Sequence, residues 1–396
     1  MAVRRESDVL RGADRAVVEV LRRHPGSTRA ELARRTRLPL STVSGAVSRL
    51  VAAGIVGDEQ SATTGAAGRR GRPASVLSLR PQDRTIGVVE VTHHAGGLAR
   101  AALISAGGSV LARVDAPFRL LDCADIAADC ARLLGAASAA VGGRAFDHVV
   151  VALPLAYEQG VGIAPLEPGR LAAGGPVPPR LGWLFSDVAA RLEDALGVPA
   201  TVDNDGNVAA LGEHAFGAGR GHDDLIHLKL VTGLAAGLVV DGRLVRGARG
   251  LAGELSHLRI DSAGPACACG RRGCLGKIAT ADHLLEPHRA RLAPRASVYD
   301  VLALAAQGDP EVRDVLGALG RLVGRYLAPV CVMLNPSIIV VDGTLGPAAA
   351  PVIDGMVQSL ESALPTGTQR AMTVVLGQLG DQAALLGAPR LALDPA

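Results

Sequence analysis

Three of the six cysteines in this 396-residue chain fall within one eight-residue stretch, CACGRRGC, at positions 267–274. The three sulfur atoms can meet only if this loop folds back on itself, and Gly270 and Gly273 permit such a reversal. The charged N-terminus MAVRRESDVL is followed by no apolar leader, so we expect a cytoplasmic protein. In that reducing compartment a tight cysteine group is more typical of metal binding than of disulfides. The stretch therefore predicts a metal-stabilised loop, and reduced cysteines that merely pack together are the alternative.

The overall composition is that of a globular protein with two or three domains. Hydrophobic residues make up 48% of the chain and charged residues 20%, which excludes a largely disordered protein. The longest apolar runs are interrupted by His227 and Lys229 in one case and by Asn335 and Pro336 in the other. None of them reaches 18 uninterrupted apolar residues, so the sequence predicts no membrane-spanning segment.

Positive charge is concentrated at the N-terminal end of the chain. Residues 1–80 contain 15 arginines and 7 acidic residues, a net charge of +8, whereas the total for the whole chain is only +3. A basic region joined to a mildly acidic remainder indicates that this region contacts a polyanion.

The basic region is predicted to contain three helices. The first runs from Ala13 to Arg23 and ends at the sequence HPG, and Ser27 is the expected N-cap of a short second helix. The third, STVSGAVSRLVAAG, has Val43, Val47 and Leu50 on its inner face. Its outer face then carries the candidate DNA contacts Ser41, Thr42, Ser44 and Arg49. Small hydroxyl side chains and an arginine suit a major groove, although a three-helix bundle with a solvated polar face fits the helices equally well.

The stretch GRRGRPASVLSL follows these helices and resembles a wing. Its last residues alternate as in a strand, and Arg69, Arg70 and Arg72 lie on a loop that contains glycine and proline. Guanidinium groups on such a loop can enter a minor groove or neutralise phosphates, whereas the alternative is an arginine-rich linker. Together these features predict an all-α winged helix-turn-helix DNA-binding domain over residues 1–80.

From Thr85 onwards, strand-like and helix-like segments alternate. The segment IGVVEV is followed by a predicted hairpin whose turn is Ala106 to Gly108, and helical patterns cover 124–141 and 186–196. This order is repeated in two halves, which predicts a mixed α/β fold with two lobes and a cleft between them. We place the lobes at residues 81–200 and 201–396, with the last helix packing back on the first lobe.

Four motifs in the second part of the chain carry a specific resemblance. VDNDGNVAALGE, GARGLAGELSHL, CACGRRGCLG and LNPSIIVVDGTL occur in the order that is typical of the ROK family of repressors, open reading frames and kinases. With the helical region in front, the chain resembles the sugar-responsive repressors of that family, of the xylose or N-acetylglucosamine type. The resemblance covers essentially the whole chain and implies a two-lobed, actin-like sugar-kinase fold of the ribonuclease H type.

The resemblance also assigns roles to individual residues. It implies that His257, Cys267, Cys269 and Cys274 bind a structural Zn²⁺, and these four soft ligands would leave no coordination position open. It implies that Asn204, Asp205, Glu254 and His257 contact a sugar effector, since carboxylate, amide and imidazole groups together satisfy hydroxyl donors and acceptors. Asp205 corresponds to the catalytic base of the kinases, and the alternative for this residue is a turn-capping role.

The chain departs from the kinases of the family at the nucleotide motifs. Val89 and Val91 replace the aspartate and first glycine of DxGGT, VTGLAAG replaces GTGIGGG, and Asp342 replaces a later glycine. Because β-branched side chains block a close backbone approach, we expect no phosphate cradle and no catalysis. Gly276 also replaces a glutamate that reaches the sugar, so a common hexose should lose about 1.5–3 kcal/mol of binding free energy.

Three functions remain compatible with the sequence. The first is a DNA-binding regulator, a repressor, that responds to a small carbohydrate and binds a palindromic operator as a homodimer or tetramer, with no membrane partner. The second is an ATP-dependent sugar kinase with an added N-terminal domain. The third is a zinc-stabilised dimer platform that has lost ligand binding.

Overall fold

The structure is a computed structural model that describes residues 12–24, 26–52, 56–60, 75–79, 84–92, 97–163, 179–231, 233–267, 269–279, 284, 286–292, 296–365 and 372–393. Its contacts divide the chain into two compact units, Met1–Arg84 and Thr85–Ala396.

The first unit contains three helices and a two-stranded antiparallel sheet. Its elements are α1 (Ala13–Arg23), α2 (Arg29–Thr36), α3 (Leu40–Ala52), β1 (Val56–Gln60) and β2 (Ser75–Leu79). One apolar cluster holds them together, and its buried members include Val17, Leu21, Leu32, Val43, Val47, Leu50 and Leu77. Because the inner stripe of α3 belongs to this cluster, the opposite face of α3 is left towards solvent.

The N-cap of α2 is Thr28, and the expectation of Ser27 was wrong. The Thr28 hydroxyl accepts a hydrogen bond from the Glu31 backbone N–H, and the Glu31 carboxylate accepts one from the Thr28 backbone N–H at 2.7 Å. The three-residue spacing of this capping box starts from Thr28. Ser27 instead donates its hydroxyl to the His24 carbonyl, and its own carbonyl accepts the Leu77 N–H at 2.9 Å. Ser27 thus joins the turn before α2 to the strand β2.

The second unit begins with a five-stranded mixed sheet in the order β5-β4-β3-β6-β9. Its strands are β3 (Thr85–Thr92), β4 (Leu98–Ser105), β5 (Val110–Pro117), β6 (His148–Leu153) and β9 (Ala200–Asn204), with the short pair β7 (Tyr157–Glu158) and β8 (Gly162–Ile163) between β6 and β9 in sequence. Strands β3, β6 and β9 run parallel. Helices α4 (Ile126–Ala139) and α5 (Val188–Leu196) belong to this half, and α4 begins two residues later than predicted because Asp125 caps it.

A second five-stranded sheet has the order β12-β11-β10-β13-β14. It consists of β10 (Leu225–Lys229), β11 (Ala235–Val240), β12 (Arg243–Val245), β13 (Ile338–Val341) and β14 (Thr373–Leu376). Strands β10, β13 and β14 run parallel. The helices of this half are α6 (Asp205–Phe216), α7 (Val298–Ala306), α8 (Pro310–Leu334), α9 (Ala349–Ala363) and α10 (Ala383–Leu393).

Helices α6 and α10 connect the two sheets. Helix α6 packs on β10 and β11, while α10 packs on α6 and on β3 and β6 of the first sheet. Their contact depends on small residues, because a Cβ at Gly212 would lie 2.0 Å from the Ala383 carbonyl oxygen and one at Gly387 would lie 1.8 Å from that of Val208. This close packing fixes the start of α6, and therefore Asp205, relative to both sheets.

Helix α8 is the one helix in the described part of the chain that is long and apolar enough to cross a membrane. Half of its most apolar window is buried within the protein, where Val312, Leu316 and Leu327 join the core of the second sheet. A core helix meets the same length and composition criteria, so α8 is only weak support for a membrane span.

Candidate effector and metal site

The four predicted metal ligands converge in the structure. The ligand atoms of His257, Cys267, Cys269 and Cys274 all lie within 4.8 Å of one another. The Cys269 and Cys274 sulfurs are 3.6 Å apart, and the Cys267 sulfur is 3.5 Å from Nδ1 of His257. Zn–S bonds of about 2.3 Å at tetrahedral angles place two sulfurs about 3.8 Å apart, so the arrangement fits a tetrahedral Zn²⁺.

The backbone of the loop explains why these side chains meet. Gly270 and Gly273 have φ of +81° and +67°, and a Cβ at Gly273 would lie 1.4 Å from the Asp261 carbonyl oxygen. The Cys267 N–H donates to the Arg271 carbonyl at 2.8 Å, which closes the turn that contains Gly270. Only glycine tolerates both the conformation and the close approach at position 273, so the reversal is built into the sequence.

Asn204 and Asp205 lie where β9 ends and α6 begins. The Asn204 side-chain oxygen accepts the backbone N–H groups of Gly206 and Asn207 at 2.8 and 3.3 Å, so Asn204 is the N-cap of α6. Asp205 is the first residue of the helix and is only 3% exposed. The capping role considered for Asp205 is therefore carried by its neighbour, and the Asp205 carboxylate is directed to other partners.

Glu254 is close enough to Asp205 to feel its charge, and it lies beside His257 of the candidate metal cluster. Burial, with a smaller contribution from the charge of Asp205, raises the pKa of Glu254 to about 7. A Glu254 carboxylate oxygen lies 3.8 Å from Nε2 of His257, while Nδ1 of the same ring faces the cysteines. The two nitrogens of His257 thus face different groups, so a metal bound at Nδ1 would fix the ring that lies beside Glu254.

Gly276 is packed closely against Ser256. A Cβ at position 276 would lie 2.7 Å from the Cβ of Ser256 and 3.1 Å from its Cα. The Ser256 hydroxyl lies 3.5 Å from the Glu254 carboxylate. A glutamate therefore does not fit at position 276 unless Ser256 shifts.

Lys229, the last residue of β10, forms an ion pair with Asp205. Burial opposes the charge on the amine, but the carboxylates of Asp205 and Glu90 outweigh it and raise the pKa of Lys229. Glu90 is also paired with Arg100, its register partner on β4, at 3.1 Å, and Arg100 lies 3.7 Å from Asp381. Asp205 is therefore held by a charged network that includes strands of both sheets.

Asp342, which follows β13, is bonded to the loop that follows β10. One of its carboxylate oxygens accepts the backbone N–H groups of Leu230 and Val231 at 3.1 and 3.2 Å. The other accepts the N–H and hydroxyl of Thr344 at 3.0 and 2.6 Å. The backbone donors at the start of VTGLAAG are thus already used within the protein.

The predicted DNA contacts are in part on the surface of the first unit. Ser41 and Thr42 are exposed at the start of α3, and Ser44 is partly buried. The Arg49 side chain is 62% exposed and donates to the Asp14 carboxylate of α1, with its Nε 3.2 Å from that carboxylate. Arg69, Arg70 and Arg72 lie outside the described residues.

Sequence reasoning missed Lys229, Glu90 and Arg100. Lys229 was considered only as an interruption of an apolar run, and Glu90 lies inside the strand IGVVEV. A charged residue within an otherwise buried strand requires a partner. That rule could have identified Lys229 and Glu90 as members of two buried ion pairs.

Comparison with known proteins supports the assignment of both parts of the chain. The ROK family profile matches residues 173–395, and a profile for winged helix-turn-helix DNA-binding domains matches residues 10–56. The chain is 34% identical over 235 residues to the glucokinase of Streptomyces coelicolor, which covers 55% of this chain and 74% of that protein. It is 26% identical over 249 residues to the xylose repressor of Bacillus subtilis, which covers 62% of this chain and 65% of the repressor.

A solved structure has the same fold over nearly the whole length. It is described as a ROK family transcriptional regulator homologous to the Escherichia coli Mlc protein, and it superposes with a TM-score of 0.68 at 24% identity. The superposition covers 96% of this chain and 95% of that one. A two-lobed sugar-kinase fold preceded by a winged helix-turn-helix region is therefore the fold of this protein. The profile match covers more than half of the sequence, and the chain belongs to the ROK family.

Proposed function

We propose that this protein is a transcriptional regulator, a repressor, whose winged helix-turn-helix unit binds a DNA operator and whose ROK unit binds a small carbohydrate. The observation that carries the proposal is the combination of a basic N-terminal unit with a ROK unit in which Lys229 is paired with Asp205. Asp205 corresponds to the base of the kinases, and in this chain its carboxylate is already engaged by the Lys229 ammonium group.

The first unit supplies the DNA contacts in this proposal. Exposed Ser41 and Thr42 at the start of α3 have the position and chemistry to contact base edges in a major groove. Ser44 and Arg49 extend this face, and Arg69, Arg70 and Arg72 would neutralise phosphates beside it. The net charge of +8 on residues 1–80 supports this assignment.

The second unit supplies the effector site. Asn204, Asp205, Glu254 and His257 offer amide, carboxylate and imidazole groups, which together bind vicinal hydroxyls. The Glu254 carboxyl group is largely buried beside His257, where its oxygens can accept hydrogen bonds from hydroxyls. The xylose repressor among the relatives supports a carbohydrate as the ligand class.

Zinc has a structural role in this proposal. His257, Cys267, Cys269 and Cys274 would occupy all four positions of a tetrahedral ion, which leaves none for an activated water. The ion would hold the loop that follows Glu254 and fix the ring of His257 beside the effector.

We further propose that the regulator acts in the cytoplasm as a homodimer or tetramer. The winged helix-turn-helix units of two protomers would then bind the two half-sites of a palindromic operator. An effector that binds one conformation of the second unit more tightly than another would increase the population of that conformation. The affinity of the protein for the operator would change as a result.

Fluorescence anisotropy of the full-length protein with DNA from upstream of its own coding region tests this function. We expect nanomolar, sequence-selective binding that weakens with salt and that at least one sugar of a panel reduces. A matched variant with Ser41 and Thr42 replaced by alanine should lose selectivity and retain non-specific binding. Absence of selective binding by the full-length protein would contradict the proposal.

Sugar phosphorylation is the second candidate function, and the identity with a glucokinase favours it. A coupled assay for ADP with glucose, N-acetylglucosamine, mannose, fructose and xylose separates the two. We expect no turnover above background, and turnover on the order of 1 s⁻¹ would establish a kinase instead.

A further inference from the structure

The cleft of the ROK unit is lined by charged side chains from both sheets. Glu90 lies near the carboxyl end of β3 and Asp205 follows β9, whereas Lys229 ends β10 and Asp342 follows β13. The carboxyl ends of parallel strands are where α/β proteins bind their ligands. In this protein these groups already have partners within the chain: Lys229 pairs with Asp205, Glu90 pairs with Arg100, and Asp342 accepts backbone N–H groups.

Two basic side chains line the cleft: Arg100 pairs with Glu90, and Lys229 pairs with Asp205. The Lys229 side chain is 14% exposed, and it extends from the second sheet to Asp205 at the end of the first. Glu90, also of the first sheet, contributes to the electrostatic stabilisation of the same ammonium group. Lys229 is therefore the counterion of Asp205 and adds to the stabilisation that Arg100 gives Glu90.

The anion-binding donors in the cleft are also occupied. The N–H groups of Leu230 and Val231 point to the Asp342 carboxylate, where a loop that binds phosphate would direct them to its ligand. Both residues are buried, so these donors would be costly to leave without a partner. The Asp342 carboxylate satisfies them from within the chain.

The space that remains is small. The cleft between these residues encloses about 40 Å³. Since one water molecule needs roughly 10–15 Å³ of such space, the cleft has room for about three waters between these side chains.

The choice of lysine is unusual for this chain. Only two of its 41 basic residues are lysines, Lys229 and Lys277, and the others are arginines. An ammonium group is a compact point charge, whereas a guanidinium group is a planar fork that needs more room. A buried position among several carboxylates resembles a site for a small cation. Of the basic side-chain groups, the ammonium group is the closest in size to such a cation.

We infer that Lys229 is a built-in substitute for a bound cation, which ties the two sheets together across the cleft and positions Asp205 without metal or nucleotide. Lys229 is thus a positioning residue for the effector site. This second statement rests on the proposed function, because it assumes that Asp205 contacts an effector.

Lysine-selective acetylation of the wild-type, full-length protein is the first test. Lys277 is exposed and serves as an internal control for Lys229. We expect peptide mass spectrometry to show Lys229 modified roughly tenfold or more slowly than Lys277 in the native protein, and equally fast in urea. Equal rates in the native protein would overturn the inference.

Substitution of Lys229 is the second test, with thermal unfolding of the full-length protein as the measurement. Lys229→Met should lower the Tm by on the order of 5–10 °C, because the buried Asp205 carboxylate loses its counterion. Lys229→Arg should recover less than half of that loss, and Lys277→Met should leave the Tm unchanged.

The response to Mg²⁺ separates a cation substitute from an ordinary packing residue. Millimolar Mg²⁺ should raise the Tm of Lys229→Met and leave that of the wild type unchanged, since oxygen ligands freed from the lysine can bind a divalent ion. If Lys229→Met does not fold, the double variant Lys229→Met/Asp205→Asn should fold, because the uncompensated charge is removed.

An unchanged Tm in Lys229→Met, an absence of any Mg²⁺ response in that variant, or stabilisation of the wild type by Mg²⁺ and ATP would each overturn the inference. None of these measurements uses DNA or a sugar. Loss of operator binding would therefore contradict only the proposed function. The three outcomes above would contradict only the inference that Lys229 substitutes for a bound cation.

Discussion

Two groups of ligand-type side chains in the ROK unit differ in where their positive charge originates. The cluster of His257, Cys267, Cys269 and Cys274 brings four soft donors together and contains no cationic side chain, so it fits an ion taken from solution. The cleft around Asp205 and Glu90 brings hard oxygen donors together and includes Lys229. Converging oxygen ligands therefore do not by themselves indicate an ion site in this unit, because the chain itself supplies a cation to Asp205.

The largest effect should come from the cluster that depends on an external ion. Cys274→Ser removes one of four ligands, so bound zinc should be lost and the free energy of unfolding should fall by about 5 kcal/mol or more. Metal content by mass spectrometry and urea unfolding of the full-length protein measure this. Cys331→Ser is the matched control, because it changes an equally buried cysteine on α8 and should retain the zinc. Wild-type protein that contains no bound metal would show that the cluster is not a metal site.

A smaller loss is expected where the chain satisfies its own donors. Asp342→Ala leaves the buried N–H groups of Leu230 and Val231 without an acceptor, which should reduce the free energy of unfolding by about 3–4 kcal/mol. Thr344→Val removes only the 2.6 Å hydroxyl bond to the same carboxylate and should cost about 1 kcal/mol. Urea unfolding compares the two variants, and equal losses would mean that the backbone donors do not depend on Asp342.

The sequence predicted one of these two groups and missed the other for a physical reason. Cys267, Cys269 and Cys274 are close in sequence, and His257 lies in an adjacent motif, so their convergence is a local property. Lys229 ends β10, whereas Asp205 begins α6 24 residues earlier in the sequence, and their contact exists only once α6 has packed on β10. No local pattern specifies such a pair.

The fold was predictable for similar reasons, with local exceptions. The alternation of strands and helices from Thr85 onwards indicated the two α/β halves, which depend on hydrophobic patterning. The cap of α2 was misassigned because Ser27 and Thr28 are adjacent residues of the same chemistry, and only the spacing to Glu31 distinguishes them. At Gly276 the sequence showed only the loss of a sugar-contacting glutamate, because the approach of Ser256 to that position is a tertiary contact.

The stability of the protein should fall when a methyl group is added at Gly276, two residues after the candidate zinc ligand Cys274. Gly276→Ala places a Cβ 2.7 Å from that of Ser256, and such overpacking should cost about 1–3 kcal/mol of unfolding free energy. Ser256→Gly in the same protein should recover most of this loss, as urea unfolding of the single and double variants would show. Gly135→Ala is the control, because its Cβ would meet nothing within 4 Å and helix α4 should gain up to about 1 kcal/mol. An equal loss in the single and double variants would mean that Ser256 is not the obstacle.

The smallest effect on stability is expected for an ion pair on the surface of the first unit. Arg49 and Asp14 have side chains that are 62% and 20% exposed, and exposed pairs contribute about 0–1 kcal/mol. Asp14→Asn should therefore leave the Tm nearly unchanged, in contrast to Lys229→Met.

The same substitution should have a larger effect on DNA binding, because the Arg49 guanidinium is released from its carboxylate and becomes available to a phosphate. Anisotropy with a non-specific duplex should show tighter binding by Asp14→Asn and a steeper dependence on salt by about one counterion. Asp354→Asn, an exposed residue of α9 in the second unit, makes the same change in net charge and should have little effect. If both variants tightened binding equally, the gain would come from net charge, and Arg49 would have no specific place in the DNA interface.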